Sequence, residues 1–132
     1  MTERTVLAAL VSAVNTTAVL PCTAYLDWLG DTAPAASVQQ LPGERWQTRY
    51  INGSGIHETP FAVLYRTAGA DTSGRLDAAS ALWALAEALE ALGEVSGLGS
   101  ISGADTPSLT ERDDHGQETW RASFILTSQV DT

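Results

Sequence analysis

Lysine is absent from this chain. All seven of its cations are arginine, set against 16 carboxylates, for a formal net charge of −9. So few cations, scattered from Arg4 to Arg121, argue against a basic face that grips a phosphate backbone. Cysteine occurs once, at Cys22, which excludes an intrachain disulfide and a cysteine metal cluster. Cys22 is expected on a strand as a small buried hydrophobe. Apolar runs are short, none approaching the roughly 20 residues that span a bilayer, so no membrane partner is expected. The opening residues Met1-Thr2-Glu3-Arg4 lack the basic stretch and apolar block of a secretion signal. The expected address is a cytoplasm, or a particle assembled there.

What is present suits a folded globule. The chain has 132 residues, 44% hydrophobic and 17% charged. That is one domain, residues 1–132, able to bury about two-thirds of its unfolded surface. Thr2 can cap a first helix whose face is Leu7, Leu10, Val11 and Val14, ended by Asn15, Thr16 and Thr17. Val19 to Leu26 reads as a strand, with Pro21 arguing for an edge position or a strand start. Asp27 to Pro34 reads as a loop, and Ser37 to Leu41 as a short strand. Pro42-Gly43 is a turn signal. Arg45 to Ile51 alternates, with Trp46, Thr48 and Tyr50 on one face. Asn52-Gly53-Ser54-Gly55 then closes a hairpin with Thr59 to Arg66. That returning strand is apolar on both faces (Phe61, Val63 and Tyr65 against Ala62 and Leu64), which predicts a central position.

Asp71, Thr72 and Ser73 offer caps for a long helix from Ser73 to Leu92, stopped by Gly93. Leu98 to Ser102 reads as a short strand. Leu109 to Arg112 and Glu118 to Ser128 form a second hairpin around Asp113-Asp114-His115-Gly116, with Trp120, Ala122, Phe124 and Leu126 on one side. This order predicts an α+β fold: a mainly antiparallel sheet with two helices packed on one face.

In the long helix, Ala78, Leu82, Leu85, Leu89 and Leu92 fall on one stripe, the core face. Asp77, Ser80, Glu87, Glu90 and Glu94 fall opposite, and Trp83 lies among them. Two placements fit that indole: a subunit contact, or packing along the helix flank under a loop. Trp28, in a polar loop, poses the same question. Trp46 reads as ordinary sheet packing.

Signals for chemistry are weak. His57-Glu58 and Asp113-Asp114-His115 sit near hairpins, where solvated polar residues are expected, and neither supplies the four convergent ligands of a structural metal site. Ser54 sits in a strand-to-strand turn without the spacing of a nucleophile elbow. Gly53-Ser54-Gly55 lacks the lysine and following helix of a phosphate loop. No enzyme, metal or cofactor is expected.

Four segments occur in a suggestive order: Val38-Gln39-Gln40-Leu41-Pro42-Gly43, Arg49-Tyr50-Ile51-Asn52-Gly53-Ser54, Pro60-Phe61-Ala62-Val63-Leu64-Tyr65-Arg66 and Asp71-Thr72-Ser73-Gly74-Arg75-Leu76-Asp77-Ala78. Pro107-Ser108-Leu109 and Trp120-Arg121-Ala122-Ser123-Phe124 follow. Over residues 38–128 the chain resembles the "minor capsid protein" family of long-tailed bacteriophages, whose members are similar to tail terminators. The resemblance implies a structural virion protein forming a hexameric ring at the neck. Its partners would be copies of itself, the tail tube protein and the head–tail connector or stopper. DNA would pass through the lumen without specific binding, and six chains at −9 carry −54, which repels phosphates. A connector or stopper role fits the same pattern; a small ligand-binding module is the reading from another class.

The family carries no motif for the ring interface, so candidates come from the residues themselves. They are Trp83, Glu87, Glu90 and Trp28 against Arg45, Arg49 and Arg66, with Arg121 a further scattered arginine. A ring needs two different, complementary patches on each copy. The Asp27–Pro34 and Ala68–Thr72 segments are candidates to order against a neighbour.

Overall fold

The computed structural model describes residues 3–30, 32–41, 46–49, 55–68, 72–95, 99–112 and 116–130. Helix α1 spans Glu3–Thr16 and α2 spans Thr72–Ala91. The strands are β1 (Ala24–Leu26), β2 (Ala35–Gln40), β3 (Trp46–Arg49), β4 (Gly55–Thr67), β5 (Glu94–Val95), β6 (Gly99–Gly103), β7 (Ser108–Arg112) and β8 (Glu118–Val130). They form one sheet in the order β1-β2-β4-β8-β6-β5, with β3 also on β4 and β7 also on β8. Every pairing is antiparallel except β1 with β2. The α+β reading therefore holds, with one parallel edge that the sequence pattern does not announce.

The two long strands β4 and β8 are the spine, paired without a break from Gly55↔Val130 to Thr67↔Glu118. Pro60 sits in the middle of β4, where a proline normally argues against a central strand. Its carbonyl accepts from the Leu41 N–H at 2.9 Å. The N–H it lacks would point the same way, between the residues paired to β3 (55–57) and those paired to β2 (61–66). The missing donor thus falls opposite Leu41, just past Gln40, the last residue of β2, where the ladder ends.

Strand alternation sorts the side chains. Phe61, Val63 and Tyr65 of β4 share one face with Ala122, Phe124 and Leu126 of β8, and both helices pack on it. Phe61 and Phe124 are register partners, fully buried, with ring centroids 5.4 Å apart. From α2 come Ala78, Leu82, Leu85 and Leu89, all buried; from α1 come Leu10, Ala13 and Val14. Leu7 and Val11 are only half covered.

Leu92 departs from its expected place in the stripe. The helix ends at Ala91 and Gly93 turns the chain at φ +69°, so Leu92 leaves the helical phase and is exposed. The first strand is also shorter than Val19–Leu26. Ala18 takes a left-handed conformation (φ 53°), and residues 19–23 bend before β1 starts at Ala24. Pro21 offers no N–H for a ladder there. Cys22 accordingly lies in the bend, half-buried, and not on a strand; burial pushes its thiol pKa up.

Asn15 ties α1 to the sheet. Its amide nitrogen donates to the Ala24 carbonyl (3.1 Å) and its oxygen accepts from the Ala24 N–H (2.8 Å). The turn residues Pro42-Gly43, Asn52-Gly53-Ser54 and Asp113-Asp114-His115, the cap candidate Asp71 and Leu98 lie outside the described residues. The second hairpin pairs as expected, Ser108–Arg112 against the start of β8. The first does not: β3 pairs with Gly55, Ile56 and His57, ahead of the expected Thr59 to Arg66, whose residues from Phe61 onward pair with β2 instead.

Candidate interaction surfaces

The first surface is the outer side of α2. Residues 76, 80, 83, 87 and 90 recur at alternating steps of four and three, which places them on one stripe at 100° per residue. This stripe lies roughly opposite the buried one. Leu76 is 63% exposed and Trp83 51%, while Ser80, Glu87 and Glu90 are also exposed. The half-exposed indole excludes a core position for Trp83. The stripe is apolar toward its N-terminal half and acidic toward its C-terminal half. It carries no free cation, since Arg75, nearby on the helix, is committed to Glu118.

The second surface is the side of the sheet that neither helix covers. Tyr25, Ser37, Leu64, Arg121 and Ser108 run across it in register, with Ala35–Arg66–Thr119 beside them. Small side chains at Ala35, Ser37, Ala62 and Ser123 are buried there, while Leu64, Arg66 and Arg121 are half-buried. Tyr25 and Trp28 stand at its edge in a T-shaped pair, centroids 5.3 Å apart, both more than half exposed. A Cβ on Gly30 would lie 3.5 Å from both the Trp28 ring and the Ala35 Cβ, so the indole flanks the end of the face where Arg66 pairs with Ala35. The loop before β2 is pinned and not free: the Ala33 N–H donates to Gln117 Oε1 at 2.7 Å.

Arg66 forms no ion pair among the described residues. Arg121 donates from Nη2 to Ser123 Oγ at 3.2 Å, and its Nε is buried without an acceptor. Among the described residues, both guanidinium groups thus retain unused donors on the face that the helices leave uncovered.

The structure therefore splits the sequence candidates in two. Trp83, Glu87 and Glu90 come together on α2. Trp28 and Arg66 lie on the other side of the molecule, with Arg121. Arg49 is on β3, where only its backbone is described, and Arg45 lies outside the described residues. Leu76 and Tyr25 belong to the two surfaces although sequence reasoning passed over them. Leu76 was signalled by its seven-residue spacing to Trp83, and Tyr25 by its phase opposite the buried Ala24.

One ionic cluster is structural. Glu118 begins β8 on the core side with no exposed surface. Arg112 donates to it from Nη2 (2.6 Å) and Nε (3.1 Å), and Arg75 from Nε (3.1 and 3.2 Å). The Arg112 hydrogen bonds above all, with Arg75, hold its carboxyl below the ordinary range against the opposing effect of burial. The cluster joins α2, β7 and β8. His57, expected in a solvated hairpin, is instead buried on β4, because that strand starts four residues earlier than its apolar alternation suggests. His115 and its aspartates lie outside the described residues. Among the described residues no three His, Cys, Asp or Glu side chains converge.

No protein-family model matches the chain, and no curated protein matches it. Solved structures share its fold. One is a chain of the virion of a native gene transfer agent particle, 16% identical, with a TM-score of 0.56 over 93% of this chain and 96% of that one. Another, of no stated role, is 14% identical, with a TM-score of 0.52 over 100% of this chain and 98% of that one. At such identities the likeness is one of fold, and it extends over essentially the whole length of all three chains.

Proposed function

We infer that this chain is a structural virion protein that acts as a tail terminator. Copies assemble into a closed ring, a hexamer, that caps the tail tube and joins it to the head connector. The observation that carries this reading is the end-to-end fold likeness to a chain of a phage-like virion particle. The ordered segments between Val38 and Phe124 that resemble tail terminators point the same way.

The surfaces suit the role. Each copy presents two unlike patches on opposite sides, the acidic α2 stripe and the arginine-bearing sheet face. Unlike patches make heterologous contacts, which close into rings when the rotation between copies allows. A ring of six would carry −54 in formal charge, and a negative channel lets DNA pass without adhesion. The role works by geometry, with no bond made or broken.

Deleting the gene tests it. Particles lacking the chain should show tails of irregular length, unjoined to filled heads. Tails of uniform normal length joined to filled heads would overturn the proposal. Normal, unattached tails together with heads that leak DNA would instead indicate the connector or stopper role.

A further inference from the structure

We propose that the α2 stripe of one copy docks onto the open sheet face of the next. Trp83 and Leu76 seat beside Tyr25 and Trp28, and Glu87 and Glu90 meet Arg66 and Arg121. This rests on the ring reading and supplies its interface; the occupant of each surface is a second copy of this chain.

Charge complementarity is the first argument. The stripe is acidic and without a free cation, while the open face offers two guanidinium groups with unused donors. Spacing is the second. Glu87 and Glu90 are three residues apart on a helix, about 5–6 Å between Cβ atoms. Arg66 and Arg121 are diagonal neighbours across β4 and β8, because Arg121 pairs with Leu64 and Arg66 with Thr119. Such diagonals lie about 7–8 Å apart, within reach of flexible side chains. Symmetry is the third. Two copies meeting stripe to stripe across a two-fold axis would set glutamates against glutamates if the helices ran parallel and against the apolar Leu76 half if they ran antiparallel, in either case leaving the carboxylates without a cation. Stripe to sheet supplies the cations, and the contact repeats around a ring.

A charge swap reads this directly on the full-length chain. Arg66→Glu and Glu87→Arg, each alone, should weaken self-association roughly 10- to 100-fold in sedimentation or mass photometry, since each sets like charges together. Mixed in equal amounts, the two variants should assemble again as alternating copies. Each stripe then meets a sheet face of opposite sign: Glu87 faces Arg66 in one contact, and the arginine at 87 faces the glutamate at 66 in the next. The double variant should also recover, to within about 3-fold of wild type on the same reasoning. Circular dichroism melts close to wild type would show that the single variants remain folded. Recovery in the mixture supports the docking. Assembly of the single variants at wild-type strength, or no recovery in the mixture, overturns it and leaves the ring itself standing. A wild-type chain that stays monomeric even beside tail tubes overturns the ring and the docking together.

Discussion

Leu82 and Trp83 are adjacent in sequence and opposite in environment, which makes them a controlled pair. Leu82 has no exposed surface and packs with Leu85, Leu89 and the sheet. Truncation to alanine removes buried carbon and leaves a cavity, costing about 3–4 kcal/mol. Trp83 is half exposed. Fully burying a large apolar side chain is worth roughly 1.5–3 kcal/mol, so Trp83→Ala forfeits about half of that. Alanine's better helix propensity returns roughly 0.5 kcal/mol. The net cost is roughly 0.3–1 kcal/mol. For a chain of this size 1 kcal/mol shifts Tm by about 3–5 °C. Leu82→Ala should therefore lower Tm by roughly 10–20 °C and Trp83→Ala by no more than about 5 °C. Thermal unfolding at a protein concentration low enough to keep both variants monomeric measures this. Equal losses for the two would refute the assignment of Trp83 to an outer face. Self-association, measured at higher concentration, should follow the reverse order.

The other predictions concern what holds the two faces in place. Glu118→Gln should destabilise the fold at neutral pH. The carboxyl's folded pKa is depressed, so its contribution is present above the ordinary glutamate pKa of about 4.3 and is lost as pH falls through the lower folded value. The gap in Tm between wild type and Glu118→Gln should accordingly be widest near pH 7 and narrow progressively as pH falls below about 4.3; a gap that stays constant or widens as the solution is acidified would contradict this. Gly99→Ala would place a Cβ 2.0 Å from the Thr127 carbonyl oxygen, so β6 must shift, at a cost of about 2 kcal/mol or more in urea unfolding. Asn15→Ala removes both bonds to the backbone of the buried Ala24 and should cost about 1–3 kcal/mol, with β1 losing amide-exchange protection first.

Much of this fold is legible in the residues because two periods dominate. The step of three and four from Ala78 to Leu89 fixes α2 and its buried face. The alternations Phe61–Val63–Tyr65 and Ala122–Phe124–Leu126 fix the spine strands and the side the helices cover. The failures share a cause: local pattern does not reveal where a neighbouring element ends. Leu92 continues the helical period but sits past the last turn. The returning strand reads as starting at Thr59, yet β4 begins at Gly55, because its first residues pair with β3. The parallel β1–β2 edge depends on how Asn15 anchors Ala24, a contact across the turn that no spacing announces.

The surfaces were legible in halves. Trp83 among glutamates stands out on a helical wheel, and Arg66 is marked by its place at the end of an apolar strand. Bringing Trp28 to the arginine side needed the tertiary fold, because only the pairing of β1 with β2 sets Tyr25 and Trp28 at that edge. Glu118 is in phase with Trp120 and Ala122, which marks it as inward-facing. Arg112 is its cross-strand neighbour in the expected hairpin, whereas Arg75 comes from α2, out of reach of any local pattern.

Cryo-electron microscopy of intact virions tests the central claim most directly. The account predicts a closed six-membered ring of this chain between tail tube and head connector, with α2 of each copy against the open sheet face of its neighbour. Finding the chain elsewhere in the particle, or as isolated monomers at the neck, would contradict it.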